Sequence, residues 1–117
     1  MDKIDTTNLM AAFLLDLESQ RKIPVIIPKC RIGRDIGNEV VLADDTSISR
    51  FHSVIKLENG KYYIEDCKSR NGTLVNGNKV TEPTAIVDGD MLKLGNIMFW
   101  FVLEDDSESI IATTGSA

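Results

Sequence analysis

Three short segments of this chain combine small turn residues with groups able to grip an anion. They are Ile32-Gly33-Arg34, Ser49-Arg50-Phe51-His52, and the run SRNGTLVNG from Ser69 to Gly77. A guanidinium presents planar, paired donors and keeps its charge across the physiological range, so arginine beside a tight turn suits a phosphate oxygen. Each segment falls at the end of an expected strand. Together they predict a divided phosphate-binding surface made from three separate loops, with the rest of the chain as scaffold.

Catalysis has little to stand on. A histidine-based hydrolase needs a nucleophile beside its base and a group that orients the base. Ser49 precedes His52 by three residues, but no strained elbow sequence exposes it. There is no Gly-rich Walker loop and no dinucleotide fingerprint. Cys30 and Cys67 form no Cys-x-x-Cys pair, and with a single histidine they cannot build a four-ligand zinc site of the usual kind. They read as reduced core or strand-end cysteines. The expectation is a protein that is not an enzyme and needs neither metal nor cofactor.

Hydrophobic residues at 43% and charged residues at 26% are ordinary globular values, so 117 residues suffice for one domain with its own core. A net charge of −5 argues against a general nucleic-acid binder, whose footprint is a strongly basic face. No apolar run approaches the roughly 20 residues that cross a bilayer, and the start MDKIDTTNLM is no secretory signal. Cytoplasm, with no membrane contact, is the default. Residues 1–10 read as a flexible polar arm, 11–104 as the domain, and 105–117 as a disordered acidic and small-residue tail.

The scaffold reads as all-β. Ala11–Glu18 is taken as an opening strand, followed by Ile23–Ile27, which Pro24 and Pro28 confine to an edge. Cys30–Ile32 and Val40–Leu42 are brief strands. Ser53–Glu58 and Lys61–Asp66 flank Asn59-Gly60 as a hairpin. Thr73–Val75, Lys79-Val80, Met91–Leu94 and Ile97–Leu103 follow between further turn signals. The last is apolar at every position, which predicts a central strand packed on both faces. Short strands with turns every roughly 8–12 residues argue a sandwich or barrel.

In these segments the chain resembles a forkhead-associated (FHA) domain, over about Phe13 to Leu103. The resemblance rests on IGRD from Ile32, SRFH from Ser49, SRNGTLVNG, and DGDMLKLG from Asp88 before the last apolar strand. It implies a β-sandwich of about eleven short, mostly antiparallel strands with binding loops at one end. It also implies recognition of phosphothreonine peptides in Ser/Thr kinase signalling. Arg34 and Ser49 fall on the family's phosphate ligands, and Arg50 on a variable position that often reaches the phosphate too. Asn71 matches the asparagine that holds the peptide backbone, a task its donor-and-acceptor amide suits. Gly33 and His52 match residues that shape the site, the glycine by permitting a backbone conformation closed to other residues. Gly72 should turn the third loop. Arg70 departs from the Ser or Thr common there; it either adds phosphate affinity or selects acidic flanking residues.

The implied partner is a phosphothreonine-containing protein, with a Ser/Thr kinase among the candidates. Thr6 and Thr7, in IDTTNL, resemble paired threonines ahead of the domain in some bacterial FHA regulators, where a phosphorylated arm binds the domain itself. Two alternatives stand beside this reading: a phosphate-independent scaffold or self-association domain, and the regulatory FHA domain of a larger protein.

Overall fold

A computed structural model of the chain describes residues 10–105; Thr6, Thr7 and the stretch after Asp105 lie outside it. Eleven strands follow in order: β1 (Met10–Asp16), β2 (Lys22–Pro24), β3 (Lys29–Gly33), β4 (Val40–Val41), β5 (Ser53–Glu58), β6 (Lys61–Asp66), β7 (Thr73–Val75), β8 (Asn78–Lys79), β9 (Thr84–Ile86), β10 (Met91–Leu94) and β11 (Ile97–Asp105). They form a six-stranded sheet, ordered β2-β1-β11-β10-β7-β8, and a five-stranded sheet, ordered β4-β3-β5-β6-β9. Every neighbouring pair is antiparallel except β3 with β4. The described residues contain no helix, and so none that could cross a membrane.

Turn chemistry sets much of this register. Asn59 and Gly60 both have positive φ, 52° and 77°, the twist a two-residue hairpin needs between β5 and β6. Asn76-Gly77 repeats the device between β7 and β8. β2 is shorter than expected: it lies at a sheet edge and ends at Pro24, which has no N–H to donate. β9 was not anticipated. Its three residues follow Pro83 and are too few to show alternation.

The inward rows of the two sheets meet in a core that includes Leu14, Leu92, Phe99 and Phe101 from one side and Ile32, Ile55 and Ile64 from the other. Tyr62 of β6 meets Phe101 of β11 edge to face across the sandwich, ring centroids 5.3 Å apart at 67°. Cys30 is buried and unbridged.

β11 corrects one expectation. It is central in its sheet, between β1 and β10, but only one of its faces is packed. Phe99 and Phe101 point inward, while Met98 and Trp100 remain 39% and 36% exposed. The other face lacks a covering layer among the described residues, as antiparallel sheets allow.

Strand direction then separates the two ends of the sandwich. Gly33, Ser53, Asp66, Thr73 and Leu94 stand at one end, as their pairing shows. Met10 and Asp105, paired with each other, stand at the far end of the six-stranded sheet.

Candidate functional site

Arg34 leaves β3 at the first of these ends and is fixed before any ligand arrives. Its amide donates to the Ser49 carbonyl at 3.0 Å and its Nε to the Ile48 carbonyl at 2.6 Å. The two Nη groups make no hydrogen bond among the described residues and face a cleft. Behind the loop, the Arg31 guanidinium and amide grip Glu39 and pull its carboxyl down to about 2.

Gly33 is required here for space, not for an unusual φ. A Cβ at this position would lie 2.1 Å from the Arg50 carbonyl oxygen. That oxygen is held by the Asp35 amide at 3.1 Å and the Asn38 side-chain amide at 2.7 Å. The first and second loops are therefore joined backbone to backbone.

The second and third loops are joined through His52, which is fully buried. Its Nδ1 accepts the Ser49 amide at 3.0 Å, so Nε2 carries the hydrogen and donates to the Gly72 carbonyl at 2.8 Å. Ser49 Oγ accepts the Arg70 amide at 2.9 Å. The serine's own hydrogen is then the donor left for a ligand.

Asp66 organises the third loop. Its carboxylate accepts the Ser69 hydroxyl at 2.6 Å, the Ser69 amide at 3.0 Å and the Thr73 hydroxyl at 2.6 Å. Burial works to raise its pKa, but these hydrogen bonds outweigh burial and hold it below the ordinary value. Gly72, at φ 86°, makes the turn, and its amide donates to Ser69 Oγ. Asn71 donates one amide hydrogen to the Ser47 carbonyl at 2.8 Å, which leaves Oδ1 and the second hydrogen without a partner among the described residues. Ser47 is itself braced by Asp45 and accepts the Asn96 amide at the β10–β11 turn.

Arg34, Ser49, Arg50 and Arg70 converge on one cleft of about 430 Å³. Asn71 and Gly72 line a neighbouring cleft of about 410 Å³, joined to the first through Arg70. Gly33 and His52 line neither and support both. Three guanidinia around one opening make a local field opposite in sign to the net charge of −5. Sequence reasoning missed Phe51 and Cys67, which line the first cleft, and Asn38, Ser47 and Asp66, which hold the loops. Only Asp66 carried a signal, as an Asp three residues before a Ser.

Residues 30–95, more than half of the chain, match the FHA domain. An FHA domain-containing protein of Arabidopsis thaliana is 39% identical over 84 residues, covering 67% of this chain and 22% of its own length. Mycobacterium tuberculosis EmbR, a transcriptional regulatory protein, is 34% identical over 90 residues, covering 77% of this chain and 23% of its own. The chain thus spans under a quarter of the length of either relative. The structure of M. tuberculosis EmbR in complex with a low affinity phosphopeptide superposes with a TM-score of 0.74 at 34% identity, over 79% of this chain and 24% of that one. A structure from work on phosphothreonine-dependent FHA domain interactions gives 0.71 at 28% identity, over 79% of this chain and 95% of that one.

Two outcomes test this framework. Gly33→Ala should destabilise the fold by about 1–3 kcal/mol, read as a lower urea midpoint, because the Arg50 carbonyl must move. Asp66 titrates lower folded than unfolded, so its contribution is present above its ordinary pKa of 3.8 and is lost as pH falls through the folded value. The stability gap between wild type and Asp66→Asn should therefore be widest near neutrality and close in acid; a gap unchanged to about pH 2 would contradict the network.

Proposed function

The chain belongs to the FHA domain family, and on that premise we propose that it recognises phosphothreonine in a partner protein, turning Ser/Thr kinase activity into a protein–protein contact. The observation that carries this reading is the convergence of Arg34, Ser49, Arg50 and Arg70 on one cleft, with unused Nη donors and an unused serine hydrogen pointing at it. Arg34, Ser49 and Arg50 hold the phosphate, and Asn71 holds the backbone beside it. Arg70 stands between the two clefts, where it serves the phosphate and favours acidic residues next to it.

FHA domains are binding modules, and the local chemistry favours the same for this chain. Both ring nitrogens of His52 are committed to backbone groups, so no base serves the Ser49 hydroxyl. Burial, with Asp66 and Glu65 nearby, raises the Cys67 thiol pKa and leaves it poorly nucleophilic. We place this binding in the cytoplasm, which two unbridged cysteines suit.

Self-binding takes a definite form. Thr6 lies four residues from Met10 and so within about 14 Å of it. Met10 stands beside Asp105, and β11 runs roughly 30 Å from there to the turn at Asn96 that Ser47 touches. A phosphate on Thr6 or Thr7 therefore enters the cleft of a second copy and not its own.

A fluorescence titration against phosphothreonine peptides should give saturable binding on the order of micromolar. Arg34→Ala should lose about 1.5–3 kcal/mol, tenfold or more. Phosphoserine should bind several-fold worse for want of one methyl, about 0.8 kcal/mol. Binding should weaken below pH ~6, as the phosphate takes up its second proton. Binding that survives Arg34→Ala unchanged would favour a phosphate-independent scaffold. Stoichiometric phosphorylation of Thr6 or Thr7 should raise the mass in sedimentation to dimer or beyond; a monomer with a blocked cleft would refute the exchange between copies.

A further inference from the structure

The uncovered face of the six-stranded sheet carries a pattern that the phosphate cleft does not use. Pairing places Lys79, Leu74, Lys93 and Met98 in one row across β8, β7, β10 and β11. The next row along the strands is Met91, Trp100, Leu15 and Lys22. Each row is apolar in part and rimmed by lysine. Beyond them, Glu104 is bridged to Lys22, and Asp16 and Glu18 share a cleft with Met98 at the β1–β2 turn. Lys79 and Lys93, on the side nearer the phosphate cleft, make no ion pair among the described residues and flank the apolar strip.

This face is continuous with the binding site. Leu74 and Lys79 line the second cleft, and that cleft shares Arg70 with the phosphate cleft. From Leu74 to Trp100 is two strands across and one row along, about 12 Å, or roughly four residues of extended chain. A peptide that leaves the phosphate past Asn71 reaches Trp100 without a turn.

We propose that this face is a second docking surface, for an acidic segment bearing apolar side chains in the same partner chain as the phosphothreonine. It rests on the reading of the first cleft as a phosphothreonine site. Continuity with the cleft decides the occupant: Lys79 and Lys93 are the unpaired charges between Asn71 and Trp100, so an acidic segment that leaves the cleft pairs with them and lays its apolar residues on Met98 and Trp100. The phosphate then anchors the segment, and the linkage raises its local concentration at the face.

Trp100 is the single tryptophan and reports directly. The probes are a phosphothreonine peptide of about seven residues, and the same peptide extended by about eight residues rich in Glu, Ile and Leu on its N-terminal or its C-terminal side. One extended peptide should bind roughly fivefold tighter or better than the short one and shift Trp100 emission to the blue. Lys93→Glu and Met98→Asp should abolish that gain while leaving the short peptide's Kd unchanged, which also shows the variants are folded. Equal affinity of all three peptides, or a gain that survives both variants, overturns the second surface while the cleft reading stands. Failure of the short peptide to bind overturns both. A dimer in sedimentation that Met98→Asp dissociates assigns the face to a second copy and overturns the proposal.

Discussion

A neutral imidazole, closed off from water, sits where the second and third loops meet. Ser49 N–H enters one ring nitrogen of His52, and the other donates to the Gly72 carbonyl. A buried amide or carbonyl left without a partner costs about 1–3 kcal/mol, so the ring stabilises each loop only in the presence of the other. The positions of Ser49, Arg70 and Asn71 follow from this link. The first loop joins them where the Gly33 backbone passes against Arg50.

On the function proposed above, this construction orients the phosphate-binding groups ahead of binding. Arg34 is held by Nε, and its distal nitrogens are left forward. Ser49 has its acceptor side filled by Arg70 N–H, which leaves one direction for its hydrogen. Order of this kind reduces the freedom that a ligand must remove. On the same reading it lets a chain of net charge −5 hold an anion, because charge-assisted bonds at short range outweigh a field screened within about 10 Å by salt.

The hairpins were legible in the sequence because Asn-Gly turns are local chemistry and fix their strands without outside help. β6, β7 and β10 fall where punctuation placed them. Arg34, Ser49, Arg50, Arg70 and Asn71 were picked out by the resemblance of their segments to FHA motifs, and the structure brings the first four to one cleft and Asn71 to its neighbour. What was hidden depended on contacts distant in sequence. Gly33 could be read as important, yet the reason, a carbonyl from Arg50, is visible only in three dimensions. β11 misled because Met98 and Trp100 are as apolar as Phe99 and Phe101, and residue type alone does not distinguish a covered face from a bare one.

The antiparallel pairing of β1 with β11 puts Met10 and Asp105 side by side, at the end of the sheet remote from the three loops. Mechanically, the outer ends of β1 and β11 lie opposite the clefts along the strand axis. A pull between a partner in the clefts and Asp105 runs parallel to the strands, so β11 is loaded in shear against β1 and β10 along its length. Shear must break many ladder bonds together, whereas peeling breaks them in turn. The same axis that sets the clefts apart from Met10 and Asp105 also suits the sandwich to tension.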